Sequence, residues 1–356
     1  MSNAVYTPIL KTKRGESKAL TYLDEQVKQS IIPFFDVLAL KSDAANGSDV
    51  HEHVLKQALN VAAAWKGRGI CYVDFFDVVP SARGLNGSHP VSIVNAKLSA
   101  EQVRMIPVVG LERDVAYKLA IRHVLQQGTE AVAVRLDAED IQLPNLLPNR
   151  ISELLSEIGA SGAAIHVFLD FRDVNGQLPS LLQSLANRAI GELRPMNPQR
   201  IVFAASAMAS DMSKFRRDSL NRVARTDLLA WRAIAGLHGD VQFGDYGVVH
   251  PDYFDFDPRL IKPAAKIRYT SDDCWVVVKG SCWRDDTAQH HRLSQMLARS
   301  PEFRGSDSWG GEYISSAAAG RSKYGTLETW VSIDQNNHVS HTARQLSRAR
   351  NTGVRA

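Results

Sequence analysis

The chain has 356 residues, 44% of them hydrophobic and 22% charged, which is enough apolar material for a large core and excludes a largely disordered chain. Its 42 Lys and Arg against 38 Asp and Glu leave a formal charge of +4, a bias too small to indicate nucleic acid, which stays open as a partner. No apolar run approaches the roughly 20 residues that cross a bilayer, no basic-then-apolar leader opens the chain, and Cys71, Cys274 and Cys282 form neither a bridge framework nor a CxxC pair, so a cytoplasmic protein without a membrane partner is expected.

In chain order, short and nearly continuous apolar runs occupy residues 7–10, 31–37, 70–76, 105–111, 131–136, 164–171, 201–205 and 241–243. A parallel strand covered on both faces requires this pattern. The stretches between them carry helical spacing, as at Val54, Leu55, Leu59, Val61 and Ala62, or at Leu154, Leu155 and Ile158. Eight such repeats without a Gly-rich nucleotide fingerprint predict an α/β fold, a (β/α)8 barrel of the triosephosphate-isomerase (TIM) type, over residues 5–255. The pattern changes after Pro258, where 266–270 and 275–279, joined by Ser271-Asp272-Asp273, read as a hairpin. Helical spacing returns around 291–297, a Gly/Ser-rich stretch covers 305–320, and the run 329–333 leads to a final helix and a basic tail. Residues 256–350 are therefore expected to form a C-terminal α+β extension packed on the barrel.

Barrels of this type place their sites where the strands end, so the charged residues closing each run are the candidates. They include Lys11, Lys13 and Glu16, then Asp36, Asp74, Asp77, Glu112 and Arg113. Arg135, Asp137, Asp170, Arg172, Asp245 and Tyr246 follow. Alternation along a strand makes Lys11 and Lys13 face the same way, as do Arg135 and Asp137, and Asp170 and Arg172. Gathered lysine and arginine suit a phosphate or carboxylate, Arg as a planar fork and Lys as a compact charge; the same residues also suit a buried ion-pair network. Asp74, Asp170 and Asp245 offer oxygens for magnesium, but no spacing demands a metal and none is assigned. His338 and His341 share a helical face at i and i+3. In the C-terminal module, Arg268, Tyr269, Lys279, Trp309, Glu312 and His338 stand in an aromatic and basic setting that suits base stacking or the core of a small module. Neither GxSxG, GxxxxGK[ST] nor GxGxxG occurs, which disfavours the familiar serine hydrolases and nucleotide enzymes. No cofactor is assigned.

The opening Tyr6-Thr7-Pro8-Ile9-Leu10-Lys11-Thr12-Lys13-Arg14-Gly15-Glu16 resembles that of the phage T4-type beta protein family. The likeness continues through Ile32-Pro33-Phe34-Phe35-Asp36-Val37, Arg135-Leu136-Asp137, Gly244-Asp245-Tyr246, Trp330 and Asn337-His338, where the family pattern has a paired histidine and this chain departs from it. The resemblance implies a setting in phage–host conflict and a first strand bearing Lys11, Lys13 and Glu16, and it brings no reaction. Three functions remain open. One is an antiphage defence protein that recognises a phosphate-bearing ligand, or a phage or defence-system partner, through the charged mouth. Another is a metal-dependent phosphodiesterase or nuclease using Asp74, Asp170 and Asp245, with Lys13 stabilising developing charge. The third is an assembly subunit.

Overall fold

The apolar runs become strands because each has two faces to bury, one toward the interior of a closed sheet and one toward covering helices. The computed structural model describes residues 4–40, 46–252 and 262–351. Its strands are β1 (Tyr6–Lys11), β2 (Phe34–Asp36), β3 (Ile70–Asp74), β4 (Arg104–Gly110), β5 (Ala131–Leu136), β6 (Ala164–Asp173), β7 (Arg200–Ser206), β8 (Leu220–Ala224), β9 (Gln242–Asp245), β10 (Ala264–Thr270) and β11 (Cys274–Cys282). All but β8, β10 and β11 close into a parallel barrel in the order β1-β2-β3-β4-β5-β6-β7-β9, and β9 pairs back onto β1 through Phe243–Tyr6 and Asp245–Pro8. The expected TIM-type barrel with a C-terminal extension is thus the fold.

Period-two alternation divides each strand between two cores. Ile9, Phe34, Tyr72, Val108, Ala133, Phe168 and Val202 pack inside the barrel. Their neighbours Leu10, Phe35, Val73, Val109, Val134, Leu169 and Phe203 pack outward against the helices. Each of the valine, leucine, isoleucine and phenylalanine side chains contributes about 1.5–3 kcal/mol on leaving water.

The extension is built around the antiparallel sheet β10-β11-β8. The hairpin lies where expected, with Ser271 N–H bonded to Cys274 O across the turn. Its third strand, β8, comes from the segment between β7 and β9 and pairs with β11 from Cys274–Ala224 to Val278–Leu220. The Gly/Ser-rich stretch contains the helix Trp309–Ala318, and the run 329–333 lies inside the final helix, Leu327–Asn351. That helix lies beside Arg14–Thr21, with Asn336 Nδ2 donating to Ala19 O at 2.9 Å, and its far end lines a small cavity with Leu228 of the helix Thr226–Leu237. It therefore occupies the place of the eighth barrel helix. The boundary expected at residue 255 lies outside the described residues. Among the described residues no helix is long and apolar enough to cross a membrane.

Candidate functional site

Because Ile9, Phe34, Tyr72, Ala133 and Phe168 point inward, alternation carries Lys11, Asp36, Asp74, Arg135 and Asp170 into the uppermost inward layer two residues later. Arg135 is 5% exposed and sits among the rest. Its Nη1 donates to Asp36 Oδ1 at 2.8 Å and to Asp74 Oδ2 at 2.7 Å. Its Nε donates to Asp170 Oδ2 at 2.8 Å, and its Nη2 to the Tyr246 hydroxyl at 2.6 Å. Tyr246, inward from just past β9, donates in turn to Asp170 Oδ2 at 2.5 Å.

Burial alone would push the Asp36 carboxyl up, but the Arg135 and Lys11 cations outweigh it and hold the group below its ordinary value. Burial likewise disfavours the Arg135 cation, and Asp36, the Tyr246 hydroxyl, Asp170 and Asp74 reverse the effect. Asp36, Asp74 and Asp170 are thus all occupied by one cation, Arg135.

Above this layer the charges reach the rim. Lys11 Nζ lies 3.7 Å from Asp36 and 3.2 Å from Asp77. Arg113 Nη2 meets Asp74 Oδ1 at 2.8 Å, and Arg172 Nη2 meets Asp252 Oδ1 at 2.7 Å. Phe76, 39% exposed, presents its ring to the guanidinium groups of Arg172, Arg113 and Arg135 at 4.7, 5.2 and 5.4 Å. Arg172 has a left-handed backbone, φ 52°, and its N–H bonds to Asp170 Oδ1 at 3.0 Å. Strain of this kind in a non-glycine residue, about 1–3 kcal/mol, concentrates at functional positions.

Other expected residues go elsewhere. The strand stops at Lys11, so Lys13 does not continue its alternation; it is exposed in front of the helix Arg14–Thr21. Glu16 turns back to accept the Lys11 backbone N–H at 2.8 Å, and burial raises its carboxyl to about 7. Asp137 caps the helix Ala138–Gln142 through Glu139 N and Asp140 N. Asp245 does not join Asp74 and Asp170, because it is one residue out of phase with Tyr246 and faces away from the interior. It receives the Tyr6 hydroxyl at 2.5 Å and His338 Nε2 at 2.9 Å, with Arg225 Nη2 at 3.7 Å. His338 Nδ1 lies 2.9 Å from Thr270 Oγ1, and burial holds its pKa down, so the neutral ring donates to an ionised Asp245. His341 lies 3.1 Å from Asp272 Oδ1, so the two imidazoles take separate partners.

The C-terminal candidates do not form one surface. Arg268 is buried against Asp334 at 3.0 Å, and the Tyr269 hydroxyl accepts the Arg304 N–H at 2.9 Å. Lys279 Nζ donates to Met212 O at 2.6 Å, tying β11 to the loop after β7. Trp309 stacks on Tyr22 at 4.5 Å, Glu312 is exposed, and Trp330 belongs to the module core. Sequence reasoning missed Phe76 and Asp252 at the mouth, and the buried Tyr117 beneath it, whose hydroxyl lies 3.3 Å from Asp74 Oδ1. Phe76 was legible only as the end of an apolar run, although its place between Asp74 and Asp77 marks it as a rim residue.

A family model described as Beta protein matches residues 6–344. The chain belongs to the Beta protein family. Protein beta of Enterobacteria phage P4 is 22% identical over 349 residues, spanning 95% of this chain and 92% of the phage protein. The phage this relative brings to the family is P4, where the resemblance had pointed to T4. Of the stretches that carried the resemblance, Beta protein residues Lys11, Asp36, Arg135 and Tyr246 meet at the mouth, while Asp245 and His338 meet each other on its outer side.

Proposed function

We propose that this Beta protein recognises a phosphate-bearing ligand at the barrel mouth and acts in the cytoplasm as a component of antiphage defence. The observation that carries the reading is the contrast between the layer around Arg135 and the rim. Within the layer, Arg135, Asp36, Asp74 and Asp170 are all at most 5% exposed. At the rim, Arg172, 21% exposed, is held by Asp252 at 48% exposure, while Lys11, buried at 5%, reaches from the layer to Asp77 at 16%. Exposed pairs are worth roughly 0–1 kcal/mol, so a phosphate can displace the half-exposed Asp252 from Arg172 at little cost. Arg172 then offers a fork, Lys11 a point charge and Phe76 an apolar contact for whatever bears the phosphate.

The hydrolytic reading is less well supported. Asp74 and Asp170 are occupied by Arg135, Asp245 faces His338, and among the described residues no group of three His, Cys, Asp or Glu side chains is arranged to hold a metal.

Calorimetric titration with inorganic phosphate and nucleoside phosphates tests the proposal, using Arg172→Ala as the variant. Binding that weakens at least about tenfold in the variant, with an unchanged melting temperature and lost protection in a plaque assay, is the expected result. Absence of phosphate binding, or protection indifferent to Arg172→Ala, would overturn it. Hydrolysis of nucleic acid dependent on magnesium or manganese would move the assignment to the enzyme reading.

A further inference from the structure

The barrel is open at its other end. There the starts of all eight barrel strands line a half-open basin of about 1930 Å³, far from the mouth. Small-molecule sites occupy roughly 300–1,000 Å³ and enclose their ligand, so this basin is too large and too open for a compact metabolite. Chemistry in such barrels is confined to the mouth, which leaves binding as the use of this end.

Its floor is apolar and closed by Ala4, Ile32, Ile70, Ile106, Ala131 and Ala164. Three of these six are alanines, which is why the barrel is not plugged here. Beside them, His166 Nδ1 lies 2.8 Å from the Tyr72 hydroxyl and its Nε2 lies 2.7 Å from Gln199 Oε1. The imidazole is spent on those bonds, and burial keeps it neutral.

The rim is cationic. Lys28, Arg68, Arg104, Arg200 and Arg350 line it with two carboxylates, Glu130 and Asp240; Asp240 is already engaged by Arg194 at 2.5 Å, and Lys28 and Arg68 are paired with Glu25, which leaves Arg104 and Arg200 as the cations that matter. Arg104 is exposed and has no partner among the described residues. Arg200 donates from Nη1 to Gln242 at 2.5 Å, while its buried Nε has no hydrogen bond.

We infer that this basin docks an acidic peptide segment of a partner protein, whose carboxylates meet Arg104 and Arg200 while one apolar side chain rests on the alanine-rich floor. Charge complementarity and size select this occupant. A single-stranded nucleic acid is also anionic, but it needs exposed aromatic platforms, and Trp231 is 8% exposed with its Nε1 bonded to Val241 O at 3.0 Å.

The test is fluorescence polarisation of the full chain with a short labelled Glu/Asp-rich peptide bearing one central phenylalanine, alongside the same peptide with serine at that position and an oligothymidylate. Arg104→Glu reverses the rim charge at an exposed position, and Ala164→Phe fills the floor. Each is expected to weaken the phenylalanine peptide about tenfold or more, the serine peptide to bind less tightly, and Arg172→Ala at the mouth to leave binding intact. Melting curves of the variants establish that they fold. The inference is overturned if the peptide does not bind, if folded Arg104→Glu and Ala164→Phe bind it as the parent does, or if oligothymidylate binds more tightly. Because the mouth variant is the control, failure here and failure of the phosphate reading are separate results.

Discussion

Replacing Arg135 by Met keeps much of the side-chain volume but removes the guanidinium shared by Asp36, Asp74 and Asp170. Three nearly unexposed carboxylates are then left without their main counter-charge, a change that costs about 3–5 kcal/mol when a buried pair is broken. Urea unfolding of Arg135→Met should show a loss of that size, and an unchanged midpoint would mean that Lys11 and Arg113 suffice. Glu16 gives a prediction of the opposite sign. Burial raises its folded pKa to about 7 from an ordinary 4.5, so the stability it contributes is complete below the ordinary value and is lost as pH rises through about 7. Glu16→Gln keeps an acceptor for Lys11 N–H and cannot ionise. Its melting temperature should match the parent near pH 5 and exceed it near pH 8 by on the order of a few degrees. A constant difference across that range would show that Glu16 does not carry the titration.

At the scale of elements, the end of β9 shows how alternation was both informative and insufficient. The same period that places Lys11, Asp36, Asp74, Arg135 and Asp170 in one layer sends Asp245 and Tyr246 to opposite faces. The sequence shows only that they are adjacent; which one enters the barrel depends on the register of β9 on β1 and β7. The Asp245–His338 bond joins that strand to the final helix, and both residues are at most 1% exposed. His338→Ala should therefore lower stability by about 3 kcal/mol or more, by opening a cavity and removing a donor from a buried carboxylate. Asp252→Ala breaks a pair with one exposed partner and should cost less than about 1 kcal/mol. Equal effects in denaturant titrations would contradict the burial contrast between the two pairs.

For the whole molecule, the extension is tied to the barrel by strand exchange and by the final helix. β8 leaves the chain between two barrel strands to complete the small sheet, and the final helix returns to the eighth helical position. Barrel and extension should accordingly unfold together, as one calorimetric transition, and two resolved transitions would count against this coupling. The eight parallel strands were legible in the sequence because a strand buried on both faces must be almost continuously apolar. The charged upper layer was legible because each of its members lies two residues beyond an inward apolar residue. What the sequence by itself determined is therefore the barrel, its strand count and the residues that crown it. Only the tertiary structure decided that Arg135 takes the centre of the mouth, that Leu220–Ala224 joins a distant hairpin, that Asp245 serves the final helix, and that the opposite end stays open. Those features depend on pairing between segments far apart in the chain, and such pairing leaves no local period to read.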